Sequence, residues 1–228
     1  RNLTKSVTTG QGSSGDTDII FLTGVNQKHS GVELETNYMV NDMLDLMFVA
    51  SFGNWKFDGD ADGTYQETEY NSEGQAIGFT TTEYAYALDG LYVGDMPQTA
   101  YVLGVTLKPV KGLQLQAIHK TYDKNYSDWS PSAREFDGTN DDADRSQVWE
   151  APGYSKLDLH MSYKLPTIKG LDMMLTGHVF NVLDEVFVQD AVDNSQYNSW
   201  GTKEHMAHNA EVFLGTPRYA NIGLTINF

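Results

Sequence analysis

The chain has 228 residues, of which 15 are basic, 31 acidic and none cysteine, for a formal charge of −16. That balance repels phosphates and excludes a nucleic-acid partner, and the absence of cysteine excludes disulfides, a thiolate nucleophile and a cysteine-held zinc. Apolar residues make up only 40%, against 21 Gly and 13 Tyr, and the longest apolar runs are too short for a helix to cross a bilayer, so a membrane role would have to be built from strands.

Period-two alternation runs through the chain and no amphipathic helix stands out. The opening RNLTKSV lacks an initiating Met and a basic-then-apolar leader, which reads as a mature, trimmed or partial chain. Its first residues, Leu3 to Val7, are expected to end a strand. Next, Val32, Leu34, Thr36 and Tyr38 oppose Gly31, Glu33, Glu35 and Asn37. Leu44, Leu46, Phe48, Ala50 and Phe52 form a similar stripe, followed by strands at Tyr101 to Leu107 and Leu113 to His119. Leu157, Leu159, Met161 and Tyr163 oppose Lys156, Asp158, His160, Ser162 and Lys164, and a further strand covers Leu171 to Phe180. The last segment sets Ala220, Ile222, Leu224, Ile226 and Phe228 against Tyr219, Asn221, Gly223, Thr225 and Asn227.

The connections alternate in length. Asn41-Asp42, Pro109 to Gly112 and Pro166 to Gly170 are tight and rich in turn formers, whereas about 10–18, 57–98, 127–152 and 190–217 are long and polar. Structureless loops of that size are uncommon in compact soluble domains, while membrane barrels pair short turns on one side with long loops on the other. Alternation alone fits a soluble sandwich equally well. Strand length favours the membrane: about 9–11 tilted residues cross a bilayer, against about 5–6 in a typical soluble strand. Aromatic residues such as Tyr38, Phe52, Trp55, Tyr101, Tyr122 and Tyr163 gather at strand ends, where interfacial girdles sit.

Three segments carry a family likeness. FNVLDEVFVQDAVDNSQYNSW (Phe180 to Trp200) resembles the penultimate strand and following loop of TonB-dependent outer-membrane receptors, with an Asn, an apolar pair and an Asp ahead of an aromatic residue. FLGTPRYANIGLTINF (Phe213 to Phe228) resembles their closing strand, and HSGVELETNY (His29 to Tyr38) their Gly-Val-Glu-aliphatic-Glu strand, in the style of Bacteroidetes receptors. The resemblance implies an all-β, antiparallel transmembrane barrel, of which this chain supplies about eight C-terminal strands out of about 22, without plug or N-terminal strands. It further implies active uptake of a scarce nutrient in the outer membrane. The implied partners are outer-membrane lipid, TonB through the missing N-terminal part, the barrel assembly machinery reading Phe228, and a surface lipoprotein.

The expected sites lie in loops. Asp58, Asp60 and Asp62, with Gly63, the Thr64 carbonyl and Glu69, have the spacing of an EF-hand calcium loop, because Ca²⁺ takes six to eight hard oxygens that converge where the chain turns at Gly. A solvated acidic loop is the simpler alternative, and a second acidic cluster follows at Asp137, Asp141, Asp142 and Asp144. Trp129, Trp149, Tyr197 and Trp200 are candidates to stack on a ligand or to anchor their loops. His205 and His208 form an i, i+3 pair able to take a metal. No Ser-His-Asp order, carboxylate cleft or phosphate loop stands out, so no enzyme is expected and no cofactor beyond Ca²⁺ is implied. The alternatives are a secreted calcium-binding β-sandwich adhesin or lectin, and a receptor-like structural subunit of an outer-membrane complex. Arginine at Leu159 or Leu224 is expected to impair assembly, and changes at Asp158 or Asn221 to be better tolerated.

Overall fold

The computed structural model of the chain describes residues 3–11, 17–136, 143–167, 170–195, 198 and 203–227. In chain order the strands are β1 (Leu3–Gln11), β2 (Thr17–Val25), β3 (Gln27–Asn41), β4 (Leu44–Phe57), β5 (Ala61–Tyr70), β6 (Ala76–Tyr86), β7 (Thr99–Leu107), β8 (Leu113–Asp123) and β9 (Asn125–Tyr126). One helical turn, α1 (Pro131–Arg134), precedes β10 (Glu135–Phe136), β11 (Glu150–Ala151), β12 (Tyr154–Lys164), β13 (Asp172–Phe180), β14 (Val188–Val192), β15 (Glu211–Leu214) and β16 (Tyr219–Asn227).

Seven of these make one antiparallel sheet in the order β16-β13-β12-β8-β7-β4-β3, so every strand pairs with the next wall strand along the chain. All seven span 9–15 residues, the reach a tilted strand needs to cross hydrocarbon. Register carries the apolar stripes across the whole sheet. Leu44, Leu107, Leu115, Met161, Gly177 and Ile222 form one row, and Leu46, Val105, Ala117, Leu159, Val179 and Ala220 the next but one. This face is open, with Ile222 83% and Val32 69% exposed. The opposite face is polar. A one-residue slip in any strand would exchange the two, so the register is strongly specified.

The three short connections all lie at one end. Between β3 and β4 the Asn41 side chain accepts the Met43 N–H at 2.8 Å, closing an Asx turn. Between β7 and β8 the chain turns through Gly112 at φ +85°, a left-handed conformation that other side chains resist. Its carbonyl accepts the Lys164 N–H at the start of the β12–β13 turn, tying two turns together.

The other end departs from the sequence reading in two ways. β1 does not join the wall; it pairs with β2 in a separate five-stranded sheet, β1-β2-β5-β6-β10, so the wall has seven strands rather than about eight. The stretches read as long loops hold strands: β5 and β6 form a hairpin inside 57–98, β9 with β11 and β14 with β15 make small ladders, and α1 adds a turn of helix. The buried core sits here, where Leu22, Val25, Phe57, Tyr86, Leu88, Leu91, Trp129 and Val148 pack together.

Candidate functional site

The polar face of the wall is the first half of the site. Register aligns Asp45, Thr106, Gln116, His160, His178 and Asn221 across six strands. Gln116 donates to the Thr106 hydroxyl at 3.1 Å, His160 and His178 approach at 2.9 Å between their Nδ1 atoms, and Lys108 pairs with Asp45 at the short-turn end. Higher on the same face, Lys120 Nζ lies 2.9 Å from Asp158, whose second oxygen accepts the Asn181 N–H at 2.8 Å. Asp158 is only 3% exposed, and its carboxylate is committed to two donors in a desolvated position, which sets it apart from the other polar residues of this face.

The second half is a charge cluster at the long-loop end. Arg134, on α1, is fully buried and donates to the Asp144 and Ser146 carbonyls at 3.0 and 2.7 Å. Its other Nη lies 3.3 Å from Asp193. His205 stands between the two carboxylates, with Nδ1 2.5 Å from Asp193 and Nε2 2.8 Å from Asp144. The buried Arg134 guanidinium thus faces two carboxylates, which satisfies the requirement that buried charge be paired. Burial works against a charged His205, yet its hydrogen bond to Asp193 and the facing carboxylates outweigh that and raise its pKa. Burial likewise works against a charged Asp144, but the Ser146 N–H, His205 and Arg134 hold it below the usual carboxylate range. The cluster clamps α1, the 143–149 segment, the turn after β14 and the segment before β15.

The acidic segment from Asp58 to Glu69 is mostly extended. β5 begins at Ala61, so Asp62, Thr64 and Glu69 are strung along an extended strand instead of converging around a turn. Asp60 is taken by Arg145, which forks onto both of its oxygens at 2.8 and 2.7 Å, and by the Leu88 and Asp89 N–H groups. The Arg145 hydrogen bonds hold its pKa low. Glu69 accepts the Thr80 hydroxyl on the neighbouring strand, and Asp58 donates its backbone N–H to Asn26. Among the described residues, no group of three or more histidines, cysteines and carboxylates is arranged to hold a metal.

Trp129 is 4% exposed and packs against Phe57 and Tyr86 at centroid distances of 6.3 and 6.0 Å, so it anchors its segment and presents no face to a ligand. Trp149 is half-buried, and its carbonyl accepts both the N–H and the hydroxyl of Ser127. Tyr197, Trp200 and Phe228 lie outside the described residues, as do Asp137, Asp141 and Asp142. His205 and His208 do not form a metal pair: both nitrogens of His205 face carboxylates, while His208 is exposed beside Glu204. The groups that the sequence reading missed are Arg134 and Asp193, and their only trace is basic residues set singly among acidic ones.

A long-stranded antiparallel meander, open and apolar on one face, polar on the other, with short turns at one end, defines an outer-membrane β-barrel wall. The family model for the TonB-dependent receptor-like β-barrel matches residues 1–182. The chain belongs to this family, whose barrels lie in the outer membrane. Among solved structures, it is similar to the ferric-catecholate import receptor Fiu from K12 E. coli in its closed form, at 15% identity and a TM-score of 0.36. That match covers 96% of this chain and 29% of that one, so the chain spans under a third of its length. Among curated proteins, none matches.

Proposed function

We propose that this chain is the C-terminal wall and loop portion of a receptor that takes up a scarce nutrient across the outer membrane in a TonB-dependent manner. The polar face lines the lumen, the short turns face the periplasm, and the long-loop end faces outward and carries selectivity. The energised step belongs to a plug and to TonB. The carrying observation is the segregation of faces across seven registered strands, because an apolar face this open and this long fits hydrocarbon and not water. A sandwich adhesin needs that same face buried under a second sheet, and none covers it among the described residues. Selectivity is assigned to the loop layer because recognition residues concentrate on loops held by a rigid scaffold, and the buried clamp around Arg134 supplies that rigidity.

The test compares uptake of labelled ferric siderophore, cobalamin, oligosaccharide and peptide in cells that carry the full-length receptor, lack it, or carry it without TonB. One class whose uptake needs both the receptor and TonB supports the reading. Uptake that persists without TonB overturns it.

A further inference from the structure

His160 on β12 and His178 on β13 are direct cross-strand partners, and both side chains stand on the polar face. Their Nδ1 atoms are 2.9 Å apart with the rings tilted by 58°. Phe180 closes one side, its ring 5.3 Å from His160 and 6.0 Å from His178, and Gln114, Gln116 and Ser162 line the adjoining cavity. The nearest carboxylate along the strand, Asp158, is engaged by Lys120 and Asn181.

Two imidazole nitrogens this close cannot both carry a proton toward each other. In the metal-free state one ring donates and the other accepts. The same separation is a bite distance for a metal. With metal–nitrogen bonds of about 2.0–2.1 Å, two ligands at a right angle lie about 2.9 Å apart, whereas tetrahedral ligands lie about 3.3 Å apart. A right angle is the cis position of a square-planar or tetragonal ion, the geometry of Cu²⁺ and Ni²⁺, rather than the tetrahedral arrangement typical of Zn²⁺.

We propose that His160 and His178 form a two-imidazole site for a divalent late first-row transition ion, Cu²⁺ ahead of Zn²⁺, on the lumen wall. Among the described residues no third histidine or carboxylate joins them, so the remaining positions go to water, to the Gln116 amide oxygen or to a group entering from the lumen. The ion takes the place of the shared proton, which moves to Nε2 of the donating ring so that both imidazoles stay neutral, and clips β12 to β13, leaving an open coordination face toward the channel. The site is separate from the nutrient taken up and from the loop clamp.

The test titrates Cu²⁺ into the full-length receptor purified in detergent, with electron paramagnetic resonance counting the coordinated imidazole nitrogens. The parent is expected to hold one Cu²⁺ with a two-imidazole tetragonal signature, and to be outcompeted poorly by equimolar Zn²⁺. His160→Gln and His178→Gln are each expected to lose that signal while the folded barrel keeps its heat-modifiable gel migration. A parent spectrum without two imidazoles, or one unchanged in His160→Gln, overturns the proposal. Should both variants misfold, the parent spectrum and its Cu²⁺-over-Zn²⁺ preference decide alone, and equal or stronger binding of Zn²⁺ overturns it.

Discussion

The carboxylate of Asp184 accepts the backbone N–H of Arg218 at 2.8 Å, while the Arg218 guanidinium reaches back to the Val182 carbonyl at 3.2 Å. This contact joins the segment after β13 to the entry of β16, two stretches 34 residues apart. Asn181, beside it, is buried at φ +49°, a left-handed conformation that Asn tolerates better than most residues. Its side chain bonds the Glu185 N–H and carbonyl and the Thr216 carbonyl. The Asn and Asp of one sequence motif and the Arg of the other are thus halves of one corner.

Asn181→Ala is therefore expected to destabilise the folded barrel by roughly 1–3 kcal/mol, the cost of leaving buried polar groups unsatisfied. Asp184→Ala, at an exposed pair, should cost about 1 kcal/mol or less. Urea unfolding midpoints in detergent will rank the two, and equal effects would contradict this account of the corner.

The loop clamp should depend on pH in a defined direction. The pKa of His205 is raised in the fold, so its contribution is full below its ordinary value of about 6.5 and is lost as pH rises through the higher folded value. That of Asp144 is lowered, so its contribution is full above the ordinary carboxylate value and is lost as pH falls through the lower folded one. Protease cleavage of the 143–149 and 203–208 segments should rise on the alkaline side, and again in strong acid. His205→Gln should abolish the alkaline rise and raise cleavage at neutral pH.

On the lumen face, Asp158 and Asn221 should behave differently although both are polar. Asp158→Ala leaves Lys120 and the Asn181 N–H without their acceptor, a loss near the low end of the roughly 3–5 kcal/mol for breaking a buried pair, since Lys120 keeps some solvent. Asn221→Ala should shift thermal unfolding little. Equal shifts would show that the Asp158 contacts contribute nothing.

Gly215 is pressed against the ring of Phe187, which itself stacks on Tyr154 at 4.2 Å and is nearly fully buried. A methyl group there would occupy the space of the ring. Gly215→Ala should displace Phe187 and lower the unfolding temperature, and Phe187→Leu in the same chain should restore part of the loss.

The wall was legible because lipid and lumen impose opposite demands on alternate residues: the stripes of Tyr154–Lys164 and Tyr219–Asn227 and the Gly-bearing turns follow from that alone. β5 and β6 were not, because TYQETEY and FTTTEYAY mix polar and apolar residues on both faces, as strands projecting into water can. The EF-hand spacing says nothing of backbone curvature, and the β-pairing of Ala61 to Tyr70 with β6 sets those residues along an extended strand. The Arg134 cluster left almost no local trace, its members lying up to 71 residues apart.

The central claim is that the apolar face of the wall touches hydrocarbon. The chain has no cysteine, so single labels at Ile222→Cys, Leu224→Cys, Asn221→Cys and Thr225→Cys can each carry a nitroxide in the receptor reconstituted in bilayers. The account predicts that labels at Ile222 and Leu224 collide with oxygen dissolved in lipid, and those at Asn221 and Thr225 with a water-soluble nickel chelate. Alternation absent across the four positions, or inverted, would contradict it.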